Sequence, residues 1–133
     1  MSLAYGFLFG VECPSVTEIR GGRWVGEIYG CDIDRLEDKA LVEQALRDAV
    51  RRLGAKEDTI QSVVYKFEPQ GLSAAALSPV AAVMIHTWPE DDASATLDLY
   101  FYQEADAGEV MRGLAEALGA RRENAFTYRR KEV

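Results

Sequence analysis

The sequence is poor in the side chains that most often bind metals or move protons near neutral pH. One histidine, His86, and two cysteines, Cys13 and Cys31, stand among 133 residues. A tetrahedral structural zinc site needs about four such ligands, so none is expected. A single imidazole leaves one candidate for acid–base work of that kind. The cysteines lie far apart without Cys-x-x-Cys spacing, which predicts free thiols in a reducing compartment rather than a disulfide framework. Long apolar runs are missing as well: no stretch approaches the roughly 18–20 residues needed to cross a bilayer. The run Tyr5 to Val11 has no basic segment before it and no small-residue cleavage site after it, unlike a secretory leader. These absences lead to an expectation of a cytoplasmic protein with no membrane association. Cationic charge is also scarce, 15 Lys and Arg against 22 Asp and Glu for a net of −7, which argues against a nucleic-acid partner.

What is present fits one folded domain over residues 1–133. At 48% apolar the chain can fill a single core and is too hydrophobic to read as disordered. Charge is uneven. Residues 121–133 carry five basic side chains against two acidic ones, leaving −10 on the remainder. Such a basic end either pairs within the protein, pairs across a subunit contact, or is solvated. The acidic body biases the surrounding field towards cationic ligands.

Two segments read as helices. From Asp38 to Leu53, Leu41, Val42, Ala45, Leu46, Ala49 and Val50 form a stripe of helical period that Gly54 stops. From Ala107 to Leu118, Val110, Met111, Leu114 and Leu118 do the same, with Asp106 and Glu109 at capping-box spacing and Gly119 at the end. Strands are expected at Arg23–Tyr29 and at Ile60–Phe67, the latter followed by the turn Pro69-Gln70-Gly71. Ala74–His86 reads as one buried strand or as two short ones broken at Pro79. Thr96–Tyr102 alternates, with Leu97, Leu99 and Phe101 on one face and Asp98, Tyr100 and Tyr102 on the other. A last strand is expected over Ala125–Arg129. Residues 1–21 form an N-terminal extension in which Tyr5–Val11 is a candidate extra strand.

Two helices for five or six strands can cover only one sheet face. The fold class expected is therefore α+β, a two-layer α/β sandwich with a mostly antiparallel sheet and both helices on one side. The other face needs a polar surface or a partner, which points to a homodimer.

One constellation carries chemistry: His86-Thr87-Trp88-Pro89-Glu90, the sole histidine at the end of an apolar strand with an aromatic, a proline turn and a carboxylate behind it. With three other blocks, Glu27-Ile28-Tyr29-Gly30-Cys31-Asp32, Phe67-Glu68-Pro69-Gln70-Gly71-Leu72-Ser73 and Leu97-Asp98-Leu99-Tyr100, it resembles the prokaryotic pyruvoyl-dependent S-adenosylmethionine decarboxylases. The resemblance spans about Gly22 to about Tyr128 and has the blocks in family order.

The resemblance implies a proenzyme chemistry for active members. An internal serine attacks its own preceding carbonyl and becomes a pyruvoyl group, which supplies the electron sink for decarboxylation. The family serine lies five positions before the histidine of the His-Thr-x-Pro-Glu block. In this chain that position is Ala81, inside Val80-Ala81-Ala82, and alanine has no oxygen with which to attack. The family's catalytic cysteine position, allowing one extra residue in the 91–96 loop, is Tyr102. Ser78 is the nearest other serine. Three residues upstream on a strand, it would be shifted by about 10 Å and turned to the opposite face.

Other family positions are kept. By the same resemblance, Ser73 and His86 are processing-assisting residues, Glu90 a carboxylate for the ribose hydroxyls, and Phe67 an aromatic for the adenine. Each also has an ordinary reading: a turn serine, a solvated loop carboxylate, a core aromatic. The function expected is a decarboxylase-like protein that does not self-process, a pseudoenzyme linked to polyamine metabolism and spermidine biosynthesis. It carries no pyruvoyl cofactor. It binds an S-adenosylmethionine-like nucleoside or a polyamine, or regulates an active paralogue, as inactive members of the wider family do. The alternatives are an active enzyme with altered chemistry, in which a tyrosine phenol serves as proton donor, and a purely structural dimer module.

Overall fold

The computed structural model describes residues 21–102 and 106–129, with side chains described through Phe126. The candidate strand Tyr5–Val11, Cys13 and most of the basic C-terminal end lie outside the described residues. Among the described residues six strands are present: β1 (Gly22–Tyr29), β2 (Gln61–Lys66), β3 (Leu72–Leu77), β4 (Ala81–Trp88), β5 (Ser94–Phe101) and β6 (Arg122–Arg129). The helices are α1 (Ile33–Leu36), α2 (Lys39–Arg52) and α3 (Ala107–Ala117), with a single 3₁₀ turn at Glu57–Thr59. The strands form one sheet in the order β2-β3-β4-β5-β1-β6, and every neighbouring pair is antiparallel.

Alternation divides the sheet into two faces. Ile28, Leu72, Val83, Ile85 and Leu99, all 0–1% exposed, point to the helix layer. There they meet Val42, Leu46 and Val50 of α2 and Met111 and Leu114 of α3. The helix starts are fixed locally. Asp38 Oδ1 accepts from Leu41 N–H at 3.1 Å, and Asp106 Oδ1 accepts from Glu109 N–H at 3.0 Å, each satisfying an amide with no intrahelical partner. The Glu109 carboxylate pairs with Arg112, so only half of the expected capping box forms. Gly119 ends α3 in the left-handed region (φ +73°), and a Cβ there would also meet Asp32 at 3.2 Å.

The structure corrects two expectations and decides between two alternatives at a third place. A third, short helix, α1, is present, capped by Asp32, which accepts from Arg35 N–H. Of the two readings of segment 74–86, the structure has two strands broken at Pro79, so four strands separate α2 from α3. Ser78 makes the break: its Oγ accepts from the Val80 and Ala81 amides at 3.2 and 3.1 Å and donates to the Ala81 carbonyl at 3.1 Å, closing a tight turn around Pro79. Finally, β4 is buried on one face only, since Met84 is exposed.

Candidate functional site

Among the described residues nothing covers the second sheet face, and most of the retained site positions lie on or beside it. Cross-strand register places a row of side chains over all six strands there: Tyr65, Ser73, His86, Thr96, Glu27 and Asn124 are successive opposite neighbours. Within it Ser73 Oγ lies 2.7 Å from His86 Nδ1. The hairpin turn at 78–81 fixes this register, because positions 73 and 86 are equidistant from its centre between Pro79 and Val80. Next to this row is an apolar one, Val63, Ala75, Met84, Val25 and Phe126, interrupted by Asp98. Arg23 grips the Asp98 carboxylate with two hydrogen bonds of 3.1 and 2.8 Å. A shallow pocket of about 390 Å³ opens between the rows, with His86, Thr96, Glu27 and Asp98 as polar walls and Met84 and Phe126 as apolar ones.

Phe67 and Glu90 flank this face without lining that pocket. Phe67 follows β2 at the sheet edge, 45% exposed, its ring centroid 4.7 Å from that of Tyr65. Exposure corrects the core reading of Phe67. Glu90 is exposed on the β4–β5 turn. That turn is pinned at its far side: Asp92 and Ala93 adopt left-handed backbone (φ 57° and 46°), and their carbonyls accept from Gly30 and Cys31 N–H at 3.0 and 2.9 Å. Arg122 pairs with Asp92 at 2.6 Å and stacks over the Tyr29 ring, 5.2 Å from its centroid. Part of the basic C-terminal end therefore pairs within the protein. The Tyr29 phenol donates to Glu27, which together with desolvation raises its pKa above the ordinary value.

Ala81 and Tyr102 occupy the opposite end of β4. The Ala81 methyl is 2% exposed and packs into the helix-side core. Tyr102 lies just beyond β5, where its N–H donates to the Val80 carbonyl at 3.0 Å, so these two positions are close to each other. Tyr102 is exposed, its ring edge-on to Tyr100 at 5.4 Å. Ser73 and His86, by contrast, are remote from Ala81. Five residues of extended chain separate 81 from 86, about 16 Å, and an odd step turns the two side chains to opposite faces. The structure thus joins the retained side chains Ser73 and His86, brings Ala81 and Tyr102 together along the backbone with their side chains apart, and separates the two pairs within one chain.

Sequence reasoning did not single out Glu27, Thr96 and Asn124 as a group, because β1 joins the sheet between β5 and β6, out of chain order. The alternation of β5 was the one available signal. Cys31 is a buried free thiol, pushed up to about 11 by burial and then by the nearby Asp92 carboxylate. Among the described residues no three His, Cys, Asp or Glu side chains group as a metal site. No described helix is long and apolar enough to cross a membrane.

The sequence profile of S-adenosylmethionine decarboxylase matches residues 22–131. The chain belongs to that family. An S-adenosylmethionine decarboxylase proenzyme of Anoxybacillus flavithermus is 35% identical over 101 residues, 75% of this chain and 78% of that one. The crystal structure of the adenosylmethionine decarboxylase from Aquifex aeolicus superposes with a TM-score of 0.74 at 26% identity, covering 87% of this chain and 94% of that one. A Trypanosoma brucei AdoMetDC monomer shares the fold at 14% identity and a TM-score of 0.58, over 80% of this chain and 45% of that one. The family and the α+β sandwich expected from the sequence are therefore both found.

Proposed function

We propose that this S-adenosylmethionine decarboxylase-family chain stays uncleaved and acts as a ligand-binding or regulatory homologue in polyamine metabolism. The observation that carries this reading is Ala81, a methyl packed in the core where active relatives need a serine oxygen. Ala81 and Tyr102 do not fit a pyruvoyl group. The nearest hydroxyl, Ser78 Oγ, is committed to three hydrogen bonds within its turn. The retained positions, Ser73, His86, Glu90 and Phe67, support a surviving nucleoside pocket, for which S-adenosylmethionine is the ligand to try first. The exposed apolar row of the uncovered sheet face supports a dimer of sheet against sheet.

Intact-mass measurement of the purified protein is the test, with an uncleaved chain expected. Two fragments, with the smaller C-terminal one bearing a pyruvoyl mass, overturn the reading. A second reading, an active decarboxylase with altered chemistry, draws support from the proenzyme relatives and from the intact Ser73–His86 pair. Carbon dioxide release from S-adenosylmethionine by an uncleaved chain would establish it in place of the first.

A further inference from the structure

Glu37 caps the end of α1 on the helix side of the molecule, and its carboxylate reaches the loop between β2 and β3. One oxygen pairs with the Lys66 ammonium, and the other accepts from Gly71 N–H at 3.0 Å. Both side chains are largely shielded, at 23% and 29% exposed, so the contact is less screened than a typical surface pair. Lys66 and Gly71 are the two shoulders of the loop that carries Phe67. Phe67 N–H donates to the Gly71 carbonyl at 2.8 Å, closing it.

The same loop sets the start of β3. Gly71 is left-handed (φ +103°), and a Cβ there would press on the Thr87 carbonyl at 3.3 Å. One residue later, Leu72 N–H donates to the buried Thr87 Oγ1 at 2.8 Å. The next residue is Ser73, opposite His86. Glu37 thus grips both ends of the six-residue span Lys66–Gly71, whose second member is the candidate adenine-stacking ring, and its second grip lies two residues before the hydroxyl on His86.

We propose that Glu37 is a positioning residue for the ligand-binding side of the sheet. Through Lys66 and the Gly71 amide it holds Phe67 and Ser73 in the places they occupy. Its link to ligand affinity rests on the nucleoside-pocket reading above, whereas its link to Ser73 and His86 does not.

Because His86 is the sole histidine, its ring protons give an NMR signal that needs no assignment by mutation. The experiment compares the natural chain, Glu37→Gln and Glu37→Ala by His86 ring resonances and by calorimetric titration with S-adenosylmethionine. Glu37→Gln keeps an oxygen acceptor for Gly71 N–H, while Glu37→Ala removes it. Glu37→Ala is expected to move the His86 resonances and to weaken S-adenosylmethionine binding about tenfold, the scale of one lost charge-assisted hydrogen bond. Glu37→Gln is expected to restore the resonances and most of the affinity. A uniform loss of stability would not give that pattern of rescue. Unmoved His86 resonances in Glu37→Ala overturn the proposal. Should Glu37→Ala fail to fold, Glu37→Asp decides: its shorter carboxylate cannot reach both Lys66 and the Gly71 amide, so displaced His86 resonances support the proposal and natural ones overturn it. If the natural chain itself binds no S-adenosylmethionine, the nucleoside-pocket reading falls, and the His86 resonances still decide the role of Glu37.

Discussion

Ser73 Oγ and His86 Nδ1 sit 2.7 Å apart, opposite one another on adjacent antiparallel strands and turned away from the helices. The pair is half-buried and joined by one hydrogen bond. Ser73→Ala should cost about 1 kcal/mol in urea unfolding, the ordinary worth of one such bond. The chain should remain full-length. A change in chain cleavage on this substitution would mean that the pair still processes something.

The turn at Ser78 makes a separate claim. Ser78 Oγ satisfies two amides and one carbonyl of the β3–β4 hairpin, so Ser78→Ala should lower stability by about 1–2 kcal/mol. Both the natural and the variant chain should show the full-length mass. A cleavage product that disappears in Ser78→Ala would identify Ser78 as a nucleophile and remove the turn-only reading.

Ala93 lies at φ 46°, a left-handed conformation that costs a residue with a Cβ about 1–2 kcal/mol. Glycine escapes that cost but gives back about 0.4–1 kcal/mol through the freedom of the unfolded chain. Ala93→Gly should therefore be neutral to stabilising by about 1 kcal/mol, an unusual sign for a change to glycine. Thermal unfolding would show it, and a clear loss of stability would contradict the left-handed placement of the turn.

The Cys31 thiol titrates near 11 rather than 9.0 because burial disfavours the thiolate and Asp92 repels it. An acid whose folded pKa is raised contributes stability that is fully present below its unfolded value and is lost as pH climbs to the folded value. Cys31 should therefore destabilise the fold between about pH 9 and pH 11. At pH 8 about one molecule in a thousand carries the thiolate, so iodoacetamide should label Cys31 far faster in urea than in native buffer. Peptide mass mapping separates this site from Cys13. Equal labelling rates would show that the thiol is open.

Legibility followed the physics of each segment. Helices α2 and α3 were readable because each buries one stripe and wets the rest, which leaves a period of 3.6 in the sequence. Segment 74–86 hid its division because its outer face is apolar too. Ala75, Leu77, Ala82 and Met84 line the uncovered side, so no alternation of polarity marked the strands. α1 has four residues, too few to show a period. At the site, His86 and Ser73 could be named from a family pattern, but their separation from Ala81 could not. It depends on β4 being extended, which sets five residues at about 16 Å on opposite faces. Glu37 was invisible because its partners, Lys66 and Gly71, are joined to it by the fold alone.

That uncovered face yields the last prediction. Met84 is 45% exposed at the centre of the sheet, between Ala75 and Asp98 on the neighbouring strands. In a lone protomer Met84→Glu adds a charge to an exposed position and should change stability by no more than about 0.5 kcal/mol. In a pair of sheets packed face to face the same carboxylate would be buried without a partner, at a cost of about 3–5 kcal/mol. That cost corresponds to a loss of at least about a hundredfold in dimer affinity. Sedimentation equilibrium should therefore find the natural chain dimeric and Met84→Glu monomeric, with matching far-UV circular dichroism. A dimer that persists unchanged in Met84→Glu would put the subunit contact elsewhere and leave the candidate pocket beside His86 open to solvent.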